Sequence, residues 1–230
     1  KSALKSKVLK RSWFLFAMGL LLFNWWSGDI LHFYGGYMHV AAFMLFVPKR
    51  YYLIGALTAV IVFHLLLNFI PIQTGWDFTT YQYHDFWTPL GFLRNSLYNG
   101  WNSLFPWISY FLLGMWLGRL DWHEKKTKQQ IFIVGLTIFS LIQCLRLVAK
   151  QQFFDAYWTN YIMAEYFPPY LPFVLVTMGF ALMVIPICMM IGEKFATNPV
   201  ILALQKTGQL TLTHYVSHLT LGMILLSIIT

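Results

Sequence analysis

Charge is what this sequence has little of. Of its 230 residues only 10% are charged, against 58% hydrophobic and 19% aromatic. A soluble domain carries about 25% charged residues. The polar surface left is too small to cover a water-soluble globule of this length, and a mean hydropathy of +0.59 points the same way. Cysteine is scarce too. Cys144 and Cys188 lie in separate apolar runs, which gives no disulfide framework and no metal motif and marks both as buried thiols. The sequence has no phosphate-cradling glycine-rich loop, no Gly-x-Ser-x-Gly elbow and no His-Glu-x-x-His pair, which sets aside the common soluble-enzyme readings. There is no fixed-period repeat and no low-complexity linker. No small-residue cleavage site follows the first apolar run, so that run reads as a helix and not as a cleaved leader.

What the sequence has is long apolar runs. In a bilayer every backbone polar group must be satisfied internally, so such runs read as helices. A spanning helix needs about 20 mostly apolar residues. Seven runs fall at about 12–28, 31–47, 51–70, 104–120, 131–149, 170–192 and 209–229. The expected fold is therefore all-α: a polytopic transmembrane bundle of about seven helices in a single domain over 1–230. Pro106 suits a first helical turn, and Pro186 predicts a kink inside the sixth run.

Cations orient the bundle. With alternating crossings, Lys1, Lys5, Lys7, Lys10, Arg11, Lys49, Arg50, Arg119, Lys125, Lys126, Lys128, Lys194 and Lys206 share one side, and Arg94, Arg146 and Lys150 the other. The positive-inside rule puts the larger set in the cytoplasm, with the N-terminus in and the C-terminus out. The net charge of +8 then reflects topology, with anionic lipid headgroups as its partner and not nucleic acid. Trp and Tyr crowd the opposite side, in 71–103 and 150–169. These two segments read as lying on the membrane or roofing a cavity, with an interfacial aromatic belt as the simpler account.

Ionisable residues within spans are costly and are functional candidates by default. Asn24, Asp29, His32 and His39 form a first cluster. His32, Gly36 and His39 share a helical face, and Gly35 and Gly36 permit a close approach. Asp29, three residues before His32, is placed to orient its imidazole as a general base. The structural alternative is an Asp-His pair capping a helix. Thr211, His214 and His218 share a second face. They lack a third ligand for a metal, so none is expected, and helix packing is the alternative to a channel lining. A third group comprises Asn99, Asn102 and Trp107 ahead of the fourth run, with Gly114 and Gly118 as a packing face. Arg119, with Lys125 and Lys126 close by, is placed to meet an acidic cofactor or simply to anchor a helix end. His64 and Arg146 are further single polar residues.

Residues 19–31, GLLLFNWWSGDIL, resemble a stretch of bacterial YeiB-like membrane proteins. His32-Phe33-Tyr34-Gly35 is similar to a region of heparan-alpha-glucosaminide N-acetyltransferase-like proteins. Residues 104–120, LFPWISYFLLGMWLGRL, and 208–215, GQLTLTHY, resemble further motifs of the same group in the same order, and the stretch to His218 is similar to the acyltransferase-3 family. The resemblance spans most of the chain and implies a transmembrane acyltransferase of the bacterial inner membrane. Such a protein takes an acyl group from cytoplasmic acyl-CoA, acetyl-CoA included, and passes it to a glycan or envelope acceptor outside. His32 and Asp29 would then be the acid-base pair. Asn24, His39, Asn99, Asn102, Trp107, Thr211, His214 and His218 would line the path, and Arg119, Lys125 and Lys126 would meet the CoA phosphates. Two departures stand out. Asn24 occupies a frequent His position and Gln209 a frequent Arg position. The family's Asp-x-x-Arg-Gly helix, and the histidine motif that follows it in heparan-type members, would lie upstream of Lys1, which makes the chain the C-terminal part of a longer bundle. A transporter of envelope precursors and a non-catalytic membrane scaffold are the competing readings, and a homo-oligomer is left open.

Overall fold

A computed structural model describes residues 1–229. The chain is helical almost throughout: α1 Ser2–Phe23, α2 Leu31–Met44, α3 Arg50–Leu67, α4 Pro89–Arg94, a π-helical turn Asn95–Asn99, α5 Leu104–Leu117, α6 Lys125–Lys150, α7 Ala156–Met163, α8 Leu171–Lys194, α9 Pro199–Gln209 and α10 Thr211–Ile229. The only strands among the described residues are β1 Trp76–Asp77 and β2 Gln82–Tyr83, an antiparallel pair. Three helices, α3, α6 and α8, are long and apolar enough to cross a bilayer, and α5 is apolar but shorter. Their outward faces carry Leu57, Ile61, Leu65, Ile133, Leu141 and Leu147, all exposed. So much outward apolar surface suits lipid and not water. The chain is an integral membrane helical bundle.

The helices pack mainly as three antiparallel pairs, α1 with α2, α3 with α5, and α6 with α8. Glycines set two of these crossings. A Cβ on Gly19 would lie 2.1 Å from the His32 backbone nitrogen, and one on Gly35 would lie 2.7 Å from that of Phe16. A Cβ on Gly135 would meet the Gly179 carbonyl at 2.7 Å. Small residues let backbones approach this closely where no hydrophobic force drives helices together in lipid. Phe33, Tyr37, Tyr52, Ala59, Ile108 and Leu112 form the core that joins α2 to α3 and α5.

The two ends of the bundle differ. At one end the Arg119 guanidinium donates to the Leu45 carbonyl and to the Tyr52 hydroxyl, Lys5 sits over the Phe43 ring, and Lys128 pairs with Glu193. At the other end, Trp76, Trp101, Tyr166 and Phe167 bring 71–103 against 150–169. Short helices there start on side-chain caps: Thr88 accepts from Gly91 N–H and Asp155 from Trp158 N–H, at 3.0 and 2.9 Å. Such caps contribute about 1 kcal/mol each.

Several expectations change. The first helix starts at Ser2 and stops at Phe23, where a turn through Asn24–Gly28 was expected to be helix. Lysine stems lie along apolar surface while their heads stay polar, so α1 extends below the apolar run. Likewise α6 starts at Lys125, because Lys128 is buried against Glu193 and not left in solvent. The kink expected at Pro186 falls inside α8, which continues as helix on both sides of that residue. Cys144 and Cys188 are exposed and free, not buried in protein. An apolar run predicts exclusion from water, and the outward face of a membrane helix achieves that without protein burial. The Gly114 and Gly118 face is exposed, and a Cβ on Gly114 would meet nothing within 4 Å, so it packs against no described helix.

Candidate functional site

The Asp29 carboxylate sits at the N-terminus of α2, fully buried. Its Oδ2 accepts from the Leu31 N–H at 2.9 Å and from the His32 N–H at 3.3 Å. A negative charge there is favoured by the helix dipole and by these otherwise orphaned donors. The His32 ring lies above it, with Nδ1 3.3 Å from Oδ2. A carboxylate only accepts, so Nδ1 carries the proton and Nε2 is a bare lone pair. Asp29 Oδ1 accepts from the Tyr215 hydroxyl at 3.0 Å, and that hydroxyl accepts from the Ile30 N–H at 3.3 Å. The result is a Tyr215-Asp29-His32 relay joining α10 to α2 across most of the chain.

His32 is 1% exposed, and Phe23, Phe33 and Phe86 pack around its ring. Its Nε2 has no hydrogen-bond partner among the described residues. The residue lines a cavity of about 220 Å³ with Phe16, Phe33, Gly36, Tyr37 and Phe92. A buried nitrogen base with a fixed tautomer and a free lone pair is suited to taking up a proton.

The other candidates are distributed over the molecule. His39 Nδ1 is tied to the Gly35 carbonyl at 3.0 Å and to Ser12 Oγ, and its ring lies edge-on to Trp13. Asn99 is fully buried. Its amide donates to the Ile72 and Thr74 carbonyls at 3.0 and 2.7 Å, and its Oδ1 accepts from Tyr83. It stitches the 71–103 segment together. Tyr83 also receives Arg94 Nε, while Arg94 Nη2 bonds Asp85 at 2.5 Å. Burial raises the Tyr83 phenol above its ordinary value.

Asn102 and Trp107 do line space. Asn102 borders an aromatic cavity of about 360 Å³ with Trp26, Tyr81, Trp101 and Tyr166, and a larger one of about 470 Å³ with Tyr37, Trp107 and Tyr110. Between them, the Tyr166 hydroxyl donates to Asn102 Oδ1 at 2.9 Å. Burial pushes that phenol up to about 12, so it stays a donor at physiological pH. Asn24 is exposed beside a third cavity of about 400 Å³.

Thr211, His214 and His218 are exposed, and the His218 ring lies edge-on to Tyr215 at 5.4 Å. His218 Nδ1 bonds only the His214 carbonyl. Periodicity puts three residues on one face without saying which way that face turns, and α10 presents Tyr215 inward instead. Arg119, Lys125 and Lys126 are exposed at the cation-rich end. His64 Nε2 receives the Tyr161 hydroxyl at 3.1 Å and the Leu171 N–H at 3.2 Å, and Arg146 binds the Ile162 and Ala164 carbonyls. Both are structural ties. Among the described residues no group of three His, Cys, Asp or Glu side chains is close enough to hold a metal.

Tyr215 and Gly19 belong to the site and escaped the sequence reading. Tyr215 is 186 residues from Asp29, so no local spacing signals it. Gly19 left a faint trace, as a lone glycine inside an apolar run.

Residues 3–154, roughly two thirds of the chain, match the family described as "Heparan-alpha-glucosaminide N-acetyltransferase, catalytic". No curated protein matches the chain, and no solved structure does. The matched stretch holds Asp29, His32 and the helices that enclose them. On this match the chain belongs to the heparan-alpha-glucosaminide N-acetyltransferase family of membrane acetyltransferases.

Proposed function

We propose that the chain moves an acetyl group from acetyl-CoA, on the cytoplasmic side, to an amino or hydroxyl group of a glycan or envelope molecule on the other side of a bacterial inner membrane. The observation that carries this reading is the buried Asp29-His32 pair, in which His32 lines a cavity and its Nε2 has no partner among the described residues. The cation-rich end faces the cytoplasm under the positive-inside rule, which puts the N-terminus in, the C-terminus out and seven crossings between them.

The chemistry follows from the geometry. The acceptor N–H or O–H gives its proton to His32 Nε2 as its lone pair attacks the thioester carbon. The new C–N or C–O bond forms, the C–S bond breaks, and the imidazolium returns the proton to the departing thiolate. The Asp29 carboxylate balances the transient imidazolium, while Tyr215 and the α2 N–H groups hold Asp29 in place. Exposed Arg119, Lys125 and Lys126 suit the phosphates of the donor. At the other end, Asn102, Trp107, Trp101 and Tyr166 suit an acceptor with sugar rings.

The test is acetyl transfer by the purified chain in lipid nanodiscs, with acetyl-CoA and glucosamine. His32→Gln is expected to lower kcat by about 10²- to 10⁴-fold, and Tyr215→Phe by a smaller factor, without loss of acetyl-CoA binding by calorimetry. No binding and no transfer by folded wild-type protein would overturn the reading. Flux of an envelope precursor in proteoliposomes without acetyl-CoA would favour a transporter instead.

A further inference from the structure

His32 Nε2 is not the only orphan in its cavity. Ser96 lines the same space, and its Oγ is buried with no hydrogen-bond partner among the described residues. Buried hydroxyls left unpaired are costly and uncommon. Serines within helices commonly bond back to a carbonyl one turn earlier, and Ser96 does not. It sits in the π-helical turn Asn95–Asn99, a rare kind of turn that is frequent at functional sites. Two residues that line one cavity, His32 and Ser96, therefore each hold a buried polar atom without a partner among the described residues. The rest of its wall is mainly apolar, and no charged side chain lines it.

That pattern selects a ligand class. A carbonyl oxygen only accepts, which matches the Ser96 hydroxyl. An attacking N–H or O–H donates, which matches His32 Nε2. A short alkyl group matches the apolar wall. A phosphate or carboxylate does not fit, because no cation lines the space. About 220 Å³ is far more than a single bridging water requires.

We propose that this cavity seats the acyl group during transfer, with Ser96 Oγ–H donating to the acyl carbonyl oxygen and the cavity wall setting acyl length. The inference rests on the acetyltransferase reading above. As the acceptor attacks, electron density moves onto the carbonyl oxygen, where Ser96 meets it. That density returns as the C–S bond breaks and the thiolate takes the proton from His32. Two wall positions control the space. A Cβ on Gly36 would meet nothing within 4 Å, so a larger side chain there grows into the cavity without a backbone clash. Leu97, 40% exposed, forms an outer wall.

The experiment uses the full chain in nanodiscs, with glucosamine as acceptor and acetyl-CoA or hexanoyl-CoA as donor. Ser96→Ala is expected to lower kcat about 10²- to 10³-fold and to leave KM for acetyl-CoA near wild type. Ser96→Thr, which keeps the hydroxyl, should retain part of the rate. The infrared carbonyl band of bound [1-¹³C]acetyl-CoA should be red-shifted in wild type and not in Ser96→Ala. Gly36→Leu should block transfer, and Leu97→Ala should raise the hexanoyl-to-acetyl ratio. Active wild type, with Ser96→Ala and Gly36→Leu at full rate and an unmoved carbonyl band, would overturn the proposal and leave the acetyltransferase reading standing. Wild type that neither binds nor transfers acetyl would remove that reading and this inference together.

Discussion

Two glycines on one pair of helices make a matched test at the residue scale. Gly19 is closed in by the His32 backbone at 2.1 Å and by Asp29 Oδ2 at 2.7 Å, whereas Gly36 has open space. Gly19→Ala should force α1 from α2 and destabilise the bundle by about 1–3 kcal/mol, the usual cost of overpacking. Gly36→Ala should be neutral, or stabilising by up to about 1 kcal/mol through helix propensity. Thermal loss of the monodisperse peak in detergent compares the two, and equal midpoints would contradict the packing described. The same neighbourhood shows what a sequence reveals about a site. Asp29 and His32 were legible because three residues separate them across a helix start. Tyr215 was not, because a contact spanning almost the whole chain leaves no local pattern. The Thr211, His214 and His218 face was visible as a face, but its direction depends on packing.

At the scale of elements, the apolar runs located the main helices because the bilayer rule depends on length and hydropathy alone. The 71–103 segment was opaque, because side-chain to backbone bonds with no periodicity hold it. Its hairpin is one example. Asp77 Oδ1 accepts from the Thr79 N–H and hydroxyl at 2.8 and 2.6 Å, and Oδ2 from Thr80 at 2.9 Å. The Thr79 hydroxyl, the Thr79 N–H and the Thr80 hydroxyl hold the carboxyl well below the usual carboxylate range. A depressed folded value means the support is present above the unfolded value of about 3.9. It is lost only as pH falls through the lower folded value. The Thr79 amide resonance should therefore titrate with a midpoint below about 3.9 and should not titrate in Asp77→Asn. A midpoint at or above the unfolded value would show that the turn does not hold the charge.

At the scale of the whole molecule, contacts alone separate a cation-rich end from an aromatic end. Arg119 reaches the end of α2 and the start of α3, and Lys128 reaches the end of α8. Tyr166 and Phe167 close over Asn102 and Trp76. If the bundle crosses the membrane as proposed, single cysteines at Lys126 and Thr80, in a background lacking Cys144 and Cys188, should label from opposite sides. An impermeant maleimide should reach Thr80→Cys in spheroplasts and Lys126→Cys only after lysis. Labelling of both from one side would contradict the orientation.

The bond from Tyr215 to Asp29 also has a temporal side. Each of the three tight helix pairs joins helices that are consecutive or separated only by the 71–103 or 150–169 segment, so each is complete once its second helix is made. The relay is different, because one partner lies just before α2 and the other in α10, 186 residues later. Until α10 arrives, Asp29 Oδ1 lacks that donor within the apolar interior, a state that costs several kcal/mol for a buried charge. The polar connection at Asp29 is thus made long after the first helix pair has formed, and a chain interrupted before α10 holds His32 with its anchor incomplete.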